Sequence, residues 1–365
     1  MNPADPAHGS VPIKGRGTPL RLAHRFEKDR REPADDGWEA VAEDGAMPPP
    51  PTTVTHEQAR SIIARNASPD VPFELSINPY RGCEHGCIYC YARPTHSYLN
   101  LSPGLDFETR LVAKLNAAAL LRTELARPAY RASPINIGSA TDAYQPVERK
   151  LGLTRGVLEM LTACEHPFTL VTKSAGVERD LDLIAPAARR HQALVFISVT
   201  TLDAELARRL EPRAAAPARR LLAVKRLAEA GVPVGVNIAP IIPFLNEPEI
   251  ERIVAAAAEA GAASIHYTVL RLPWEVAPLF RQWLEQHFPA RAARVMARVQ
   301  DMRGGKDYDA DFATRMKGSG PWAELIAQRV RKAAARHGLD RGRVELDSSR
   351  FRPPCGDASQ ADLFG

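Results

Sequence analysis

The chain has 365 residues, 45% of them hydrophobic, enough to bury the core of one large domain with appendages. No run is apolar and long enough to span a bilayer. Five cysteines are an odd number in a long chain, and no secretory signal precedes them, so the expected setting is reducing and cytoplasmic, not one that builds a disulfide framework. A net charge of +5 and a pI near 9.0 suit a polyanionic partner but also occur in ordinary soluble enzymes, so charge alone selects nothing.

Residues 1–70 are rich in Pro, Asp, Glu and Arg, include the run Pro48-Pro49-Pro50-Pro51, and show no sustained helical or strand period, which predicts a mostly flexible arm. Its portion 14–31 carries Lys14, Arg16, Arg21, Arg25, Lys28, Arg30 and Arg31. Such a segment either lies along a nucleic acid, folds onto the rest of the protein, or stays solvated.

From about residue 73 short β-branched or aromatic runs alternate with helical stretches. The spacing predicts strands at 73–79, 135–138, 168–172, 194–200, 234–239 and 264–270, and helices at 107–126, 147–164, 177–190, 217–230 and 248–260. Asp106 before an apolar stripe, and Asn246 with Glu249 three residues later, read as helix starts; Gly231 and Gly261 read as helix stops. Alternation of this kind calls for an α/β fold with a parallel sheet, and right-handed crossovers of one sense curl the sheet towards a TIM-type barrel, here with six units instead of eight. The expected domain, 71–274, carries a helical C-terminal extension at 275–345 and a flexible tail at 346–365.

The first predicted strand runs into Arg81-Gly82-Cys83-Glu84-His85-Gly86-Cys87-Ile88-Tyr89-Cys90, a C-x3-C-x2-C run. Thiolates are the usual ligands of a [4Fe–4S] cluster, and three thiolates for four irons leave one iron open to a ligand that is not protein. The competing reading is structural zinc, which takes four ligands, normally as two separated pairs; only His85, Cys164 or Cys355 is available as a fourth.

In barrels of this type the chemistry gathers at the C-terminal strand ends. There the sequence places Ser139-Ala140-Thr141-Asp142-Ala143-Tyr144 after the second strand and Lys173 after the third. Ser198, Thr200 and Thr201 follow on the fourth, Asn237 on the fifth, and His266, Tyr267 and Arg271 on the sixth. Thr141 and Asp142 also read as helix caps. A lysine directly after a buried apolar run, at a barrel mouth, is placed to meet an anion. His266 alone reads as a core histidine.

The cysteine run, with aromatic Tyr89 before its last cysteine, resembles the signature of radical S-adenosylmethionine (SAM) enzymes. Ser76-Ile77-Asn78-Pro79-Tyr80-Arg81-Gly82-Cys83, Thr141-Asp142-Ala143-Tyr144-Gln145-Pro146, Val171-Thr172-Lys173-Ser174 and Ile197-Ser198-Val199-Thr200-Thr201 are similar to the branch that includes spore photoproduct lyase and its DNA repair photolyase-like relatives. Lys14-Gly15-Arg16-Gly17 and Arg25-Phe26-Glu27 resemble the leader of one subgroup. The resemblance implies an incomplete six-unit barrel, and a [4Fe–4S] cluster on Cys83, Cys87 and Cys90. It implies Thr141, Lys173 and Ser198 near the SAM methionine moiety and Tyr89 beside the adenine. It also implies reductive SAM cleavage to a 5′-deoxyadenosyl radical, fed by a donor such as flavodoxin or ferredoxin, for lyase or modification chemistry on DNA. Protein or small-molecule substrates remain the alternative within that chemistry. One position departs: where spore photoproduct lyase uses a cysteine as hydrogen donor this stretch has Ser139, whose O–H bond is too strong for that role, so the same repair reaction does not follow.

Basic helices are predicted at 275–303 and 321–337, either a nucleic-acid face or the solvated sides of packing helices, with the latter favoured. The tail ends in Gln360-Ala361-Asp362-Leu363-Phe364, similar to the motif by which bacterial polymerases and repair proteins dock on the DNA sliding clamp. There Gln360 would hydrogen-bond beside a pocket filled by Leu363 and Phe364.

Overall fold

The computed structural model describes residues 12–27, 50–340 and 344–354. Among the described residues ten strands form two sheets: β1 (Thr53–Glu57), β2 (Ile63–Arg65), β3 (Leu75–Ile77), β4 (Tyr80–Arg81), β5 (Arg110–Lys114), β6 (Ile135–Ile137), β7 (Phe168–Thr172), β8 (Ala193–Ser198), β9 (Val234–Ile241) and β10 (Ser264–Val269). The larger sheet has the order β10-β9-β8-β7-β6-β3-β2. From β3 to β10 every neighbouring pair is parallel, and each step moves one place in the same direction. All six predicted strands are present, and the fold is α/β with a mixed sheet, because β2 runs antiparallel to β3.

The strands of this sheet have near-continuous apolar faces, as expected of parallel strands covered on both sides. Leu75, Ile77, Ile135, Ile137, Phe168, Leu170, Val195, Ile197, Val234, Val236 and Ile238 enter one core with the helices Leu153–Ala163, Leu181–Arg189, Pro217–Glu229 and Ile250–Glu259. Each helix returns the chain to the next parallel strand.

Three local expectations change. The helix expected over 107–126 is broken. Asp106–Thr109 is one turn, and Arg110–Lys114 is a strand pairing with β1 and β4 before a helix resumes at Ala117–Leu125. Leu111 and Ala113 are buried while Arg110 is exposed, a period-two pattern hidden inside an apolar stripe. Asn246 stands at the N-cap position before the 3-10 turn Glu247–Glu249, but its side chain caps nothing: fully buried, it accepts from Ile242 N at 2.6 Å and donates to the Thr200 and Pro240 carbonyls at 2.6 and 2.8 Å. Its Glu249 partner instead accepts from the Thr201 hydroxyl at 2.5 Å. His266 is exposed on edge strand β10.

The described parts of 1–70 are packed. Leu105 N donates to Leu20 O at 2.7 Å, Ser102 Oγ to Leu22 O at 2.9 Å, and β1 lies beside β5. A strap hydrogen-bonded to other elements needs no period of its own, which is why the sequence read as loose.

The C-terminal segment folds as helices Val276–His287, Pro289–Asp301 and Gly320–Arg336. Its arginines are largely used internally. Arg329 pairs with Glu247 and Glu251, Arg281 with Asp307, and buried Arg303 donates to the carbonyls of Val269 and Leu270. Among the described residues no helix is long and apolar enough to cross a membrane. Cys355, Gln360, Leu363 and Phe364 lie outside the described residues.

Candidate active site

The small sheet β1-β5-β4 holds the entrance to the cysteine loop, since Arg81 of β4 is followed directly by Gly82-Cys83. Gly86 sits at φ +67°, a left-handed position that suits glycine, and turns the chain between Cys83 and Cys87. Cys83 N donates to Phe107 O at 2.9 Å and Ile88 N to Leu210 O at 3.1 Å, anchoring both ends. Cys83 and Cys87 are buried and Cys90 is half-buried. Burial, reinforced by Asp142 and the other two sulfurs, pushes the Cys83 thiol well up; burial and Glu211 do the same to Cys87. Burial thus disfavours the thiolate at both positions, even with Lys173 near Cys87.

Arg93, fully buried, wraps this loop. Its guanidinium donates to Cys87 O at 2.9 Å, Gly86 O at 3.2 Å and Gly104 O at 2.9 Å, and to Glu108 Oε1 at 2.5 Å. The second Glu108 oxygen accepts from Gly17 N at 2.8 Å. Gln145, also fully buried, bridges the loop from the other side, donating to Gly82 O at 3.1 Å and accepting from Glu84 N at 2.9 Å. Arg93 and Glu108 carry no sequence signal that singles them out, whereas Gln145 lies in the Thr141–Pro146 stretch of the family resemblance.

The strand-end residues converge on the same loop. Tyr89 donates its hydroxyl to Glu211, which also accepts from Thr200 Oγ1 at 2.6 Å and from Arg220. Burial, Glu211 and Cys87 hold the Tyr89 phenol protonated. The Lys173 ammonium lies 5.9 Å from the Tyr89 ring centroid. Burial works against its charge, but Cys87 and Glu211 outweigh that and leave its pKa raised. Asp142 accepts from Thr172 Oγ1 at 2.6 Å and Lys173 N at 2.7 Å, and stands 3.3 Å from His85 Nδ1. Burial pushes its carboxyl up, yet these partners more than reverse that and hold it well below the usual range. Asp142 caps no helix, since Glu148–Leu151 begins after Val147; its remaining local bond is from Tyr144 N at 2.9 Å.

Ser198 ends β8, its carbonyl accepting from buried Arg220 at 3.1 Å. The Thr141 hydroxyl is turned to Tyr80 O at 3.3 Å. Tyr89, Lys173 and Cys87 thus form one constellation, with Thr200, Glu211 and Arg220 added to it. Only Thr200 among these additions was visible beforehand, as a strand-end hydroxyl. Ser139 accepts from Asn78 Nδ2 at 3.1 Å, and its carbonyl accepts from the Tyr91 hydroxyl.

Cys164 is buried in the main core with Leu161 and Phe168, in a different cluster from Cys83 and Cys87. Among the described residues no three His, Cys, Asp or Glu side chains converge on a single-ion site. Zinc needs four ligands at one point, whereas a four-iron cluster takes each thiolate on a different iron. The donor set fits the cluster.

Residues 77–257 match the radical SAM superfamily. The uncharacterised protein Rv2578c of Mycobacterium tuberculosis is 36% identical over 246 residues, spanning 66% of this chain and 72% of Rv2578c. The chain belongs to the radical SAM superfamily. A radical SAM enzyme employs a [4Fe–4S] cluster and SAM as its cofactors. The uncharacterised protein MJ0683 of Methanocaldococcus jannaschii is 29% identical over 213 residues, 58% of this chain and 76% of that one. Among solved structures, spore photoproduct lyase complexed with dinucleoside spore photoproduct aligns with a TM-score of 0.50 at 17% identity, covering 78% of this chain and 79% of that one. At that identity the likeness is one of fold.

Proposed function

We propose that Cys83, Cys87 and Cys90 hold the cluster of this radical SAM enzyme, that Tyr89, Thr141, Lys173 and Ser198 surround SAM, and that the substrate is a nucleic acid, DNA in a repair-type lyase or modification reaction. The six parallel strands, stepping in one direction, are read as an incomplete barrel whose mouth carries these residues. A [4Fe–4S] cluster held there would supply the single electron for reductive cleavage of SAM.

The observation that carries the reading is the meeting of the cysteine loop with Lys173 and the Tyr89–Glu211–Arg220 chain. Lys173 offers a half-buried positive charge to a carboxylate. Tyr89, fixed by its hydroxyl, offers a ring face that cannot swing away. Arg93 and Gln145 hold the loop backbone so that the thiols keep their spacing. Thr141, whose hydroxyl is engaged by Tyr80 O, would act through its place in the wall.

For the substrate, support comes from the fold shared with a lyase solved with a dinucleoside photoproduct and from the basic leader. Ser139 argues for a hydrogen donor other than the side chain at this position. The reading extends to a cytoplasmic protein reduced by flavodoxin or ferredoxin and tethered to the sliding clamp through Gln360, Leu363 and Phe364.

The test is anaerobic reconstitution with iron and sulfide, dithionite reduction with SAM, and chromatography for 5′-deoxyadenosine, in wild type and Cys87→Ala. Product in wild type that is lost in Cys87→Ala is expected. Bound zinc with no SAM cleavage would sink the ligand assignment. Salt-dependent DNA binding tests the substrate class separately.

A further inference from the structure

Three large aromatic side chains stand exposed around one guanidinium. Phe26 is 48% exposed, Tyr98 70% and Trp274 62%. Arg25 Cζ lies 4.9, 5.7 and 4.2 Å from their respective ring centroids, and the Phe26 and Tyr98 rings are 5.2 Å apart. Glu275 pins Arg25 in place, accepting from its backbone N at 3.3 Å and facing its guanidinium at 3.5 Å. Trp274 adopts φ +45°, uncommon for a bulky residue, and its ring stays mostly open to solvent.

The three rings come from segments that flank the cysteine loop. Phe26 follows leader residues Leu20 and Leu22, and Trp274 follows Leu270 and Leu272; all four leucines pack on the cluster that contains Cys87 and Tyr89. Tyr98 belongs to the 3-10 stretch Arg93–Leu99 just after Cys90. Within the described leader, residues 14–27, Lys14, Arg16, Arg21 and Arg25 stand against one acid, Glu27. Arg21 pairs with Asp106 yet keeps 66% of its side chain exposed, whereas the arginines of the C-terminal helices are largely spent on internal partners.

We infer that Phe26, Tyr98 and Trp274, assembled around Arg25, form a stacking platform for unpaired nucleobases of a single-stranded or locally opened nucleic acid whose phosphates follow the basic leader. Open ring faces beside a cationic track match what binds bases without reading their edges, since every base has a π-face and duplex stacking hides it. The inference rests on the nucleic-acid reading above and gives it a location and a strand preference.

The test titrates a short oligodeoxythymidylate, and the same sequence as duplex, into the reconstituted full-length protein, following tryptophan emission and anisotropy. Trp274→Ala and Tyr98→Ala are each expected to weaken single-strand binding about tenfold, with Trp274→Phe restoring most of it. SAM cleavage without nucleic acid is expected to stay at the wild-type rate in all three. Wild-type binding that both alanine variants retain would overturn the platform and leave the nucleic-acid reading standing. A wild type that binds neither single strand nor duplex would overturn both. Variants that lose only reduction by flavodoxin would assign the surface to an electron-donor protein and overturn the inference.

Discussion

Gly17 lies against Gly86 so closely that a β-carbon on Gly17 would stand 1.9 Å from the Gly86 carbonyl oxygen. The leader is therefore part of the cysteine loop's support, tied by Gly17 N to Glu108 and through Glu108 to Arg93.

Gly17→Ala forces backbone, not a flexible side chain, to move. The expected cost is about 1–3 kcal/mol of stability and a lower iron content after reconstitution. Iron and sulfide assays beside urea unfolding of the apoprotein check it; unchanged iron retention would show that the leader does not shape the loop.

Arg220 and Glu211 are both fully buried, and Glu211 also receives Tyr89 and Thr200. Arg220→Met leaves a buried carboxylate without its cation and is expected to destabilise by about 3–5 kcal/mol. Arg220→Met combined with Glu211→Gln should recover part of that loss, because it removes the unpaired charge. Urea unfolding of the two single variants and the double gives the coupling directly.

Lys173→Met removes the half-buried cation near Cys87. A charge-assisted hydrogen bond contributes about 1.5–3 kcal/mol, so SAM affinity is expected to fall roughly 10- to 100-fold with the cluster content unchanged. Equilibrium dialysis with SAM against the reconstituted variant measures it. Equal affinity in wild type and variant would remove Lys173 from the SAM site.

Acid should destabilise the protein through two buried histidines. Burial pushes His96 and His166 down to about 4, so both rings are neutral when folded, while the unfolded chain takes up protons from its ordinary value of 6.5. A base with a lowered folded pKa adds stability that is complete above pH 6.5 and is lost as pH falls towards 4. Each contributes at most about 3 kcal/mol. His166 accepts or donates at 2.8 Å with the Tyr130 hydroxyl, so His166→Gln keeps a polar partner there. The slope of unfolding free energy against pH between 6.5 and 4 should drop by about one proton in His166→Gln. An unaltered slope would exclude His166 as a source.

Legibility differed between strands and connections. The six parallel strands are short, apolar and separated by helices of crossover length, so periodicity alone locates them. Arg110–Lys114 was hidden because Leu111 continues an apolar stripe that also fits a helix; only its pairing with Thr53–Glu57 makes it a strand. Asn246 and Glu249 fit a local capping pattern, and tertiary carbonyls and hydroxyls outcompeted it.

The sequence by itself determined the three-cysteine spacing, the order of the parallel strands and the placing of Lys173 and Ser198 at strand ends, because each is a matter of local period or short separation. The tertiary structure decided what surrounds them. Gly17 meets Glu108 across 91 residues, and Tyr89 meets Glu211 across 122. A buried charge is tolerated only where an opposite charge or a set of dipoles faces it, and over such separations no spacing rule says which one will arrive.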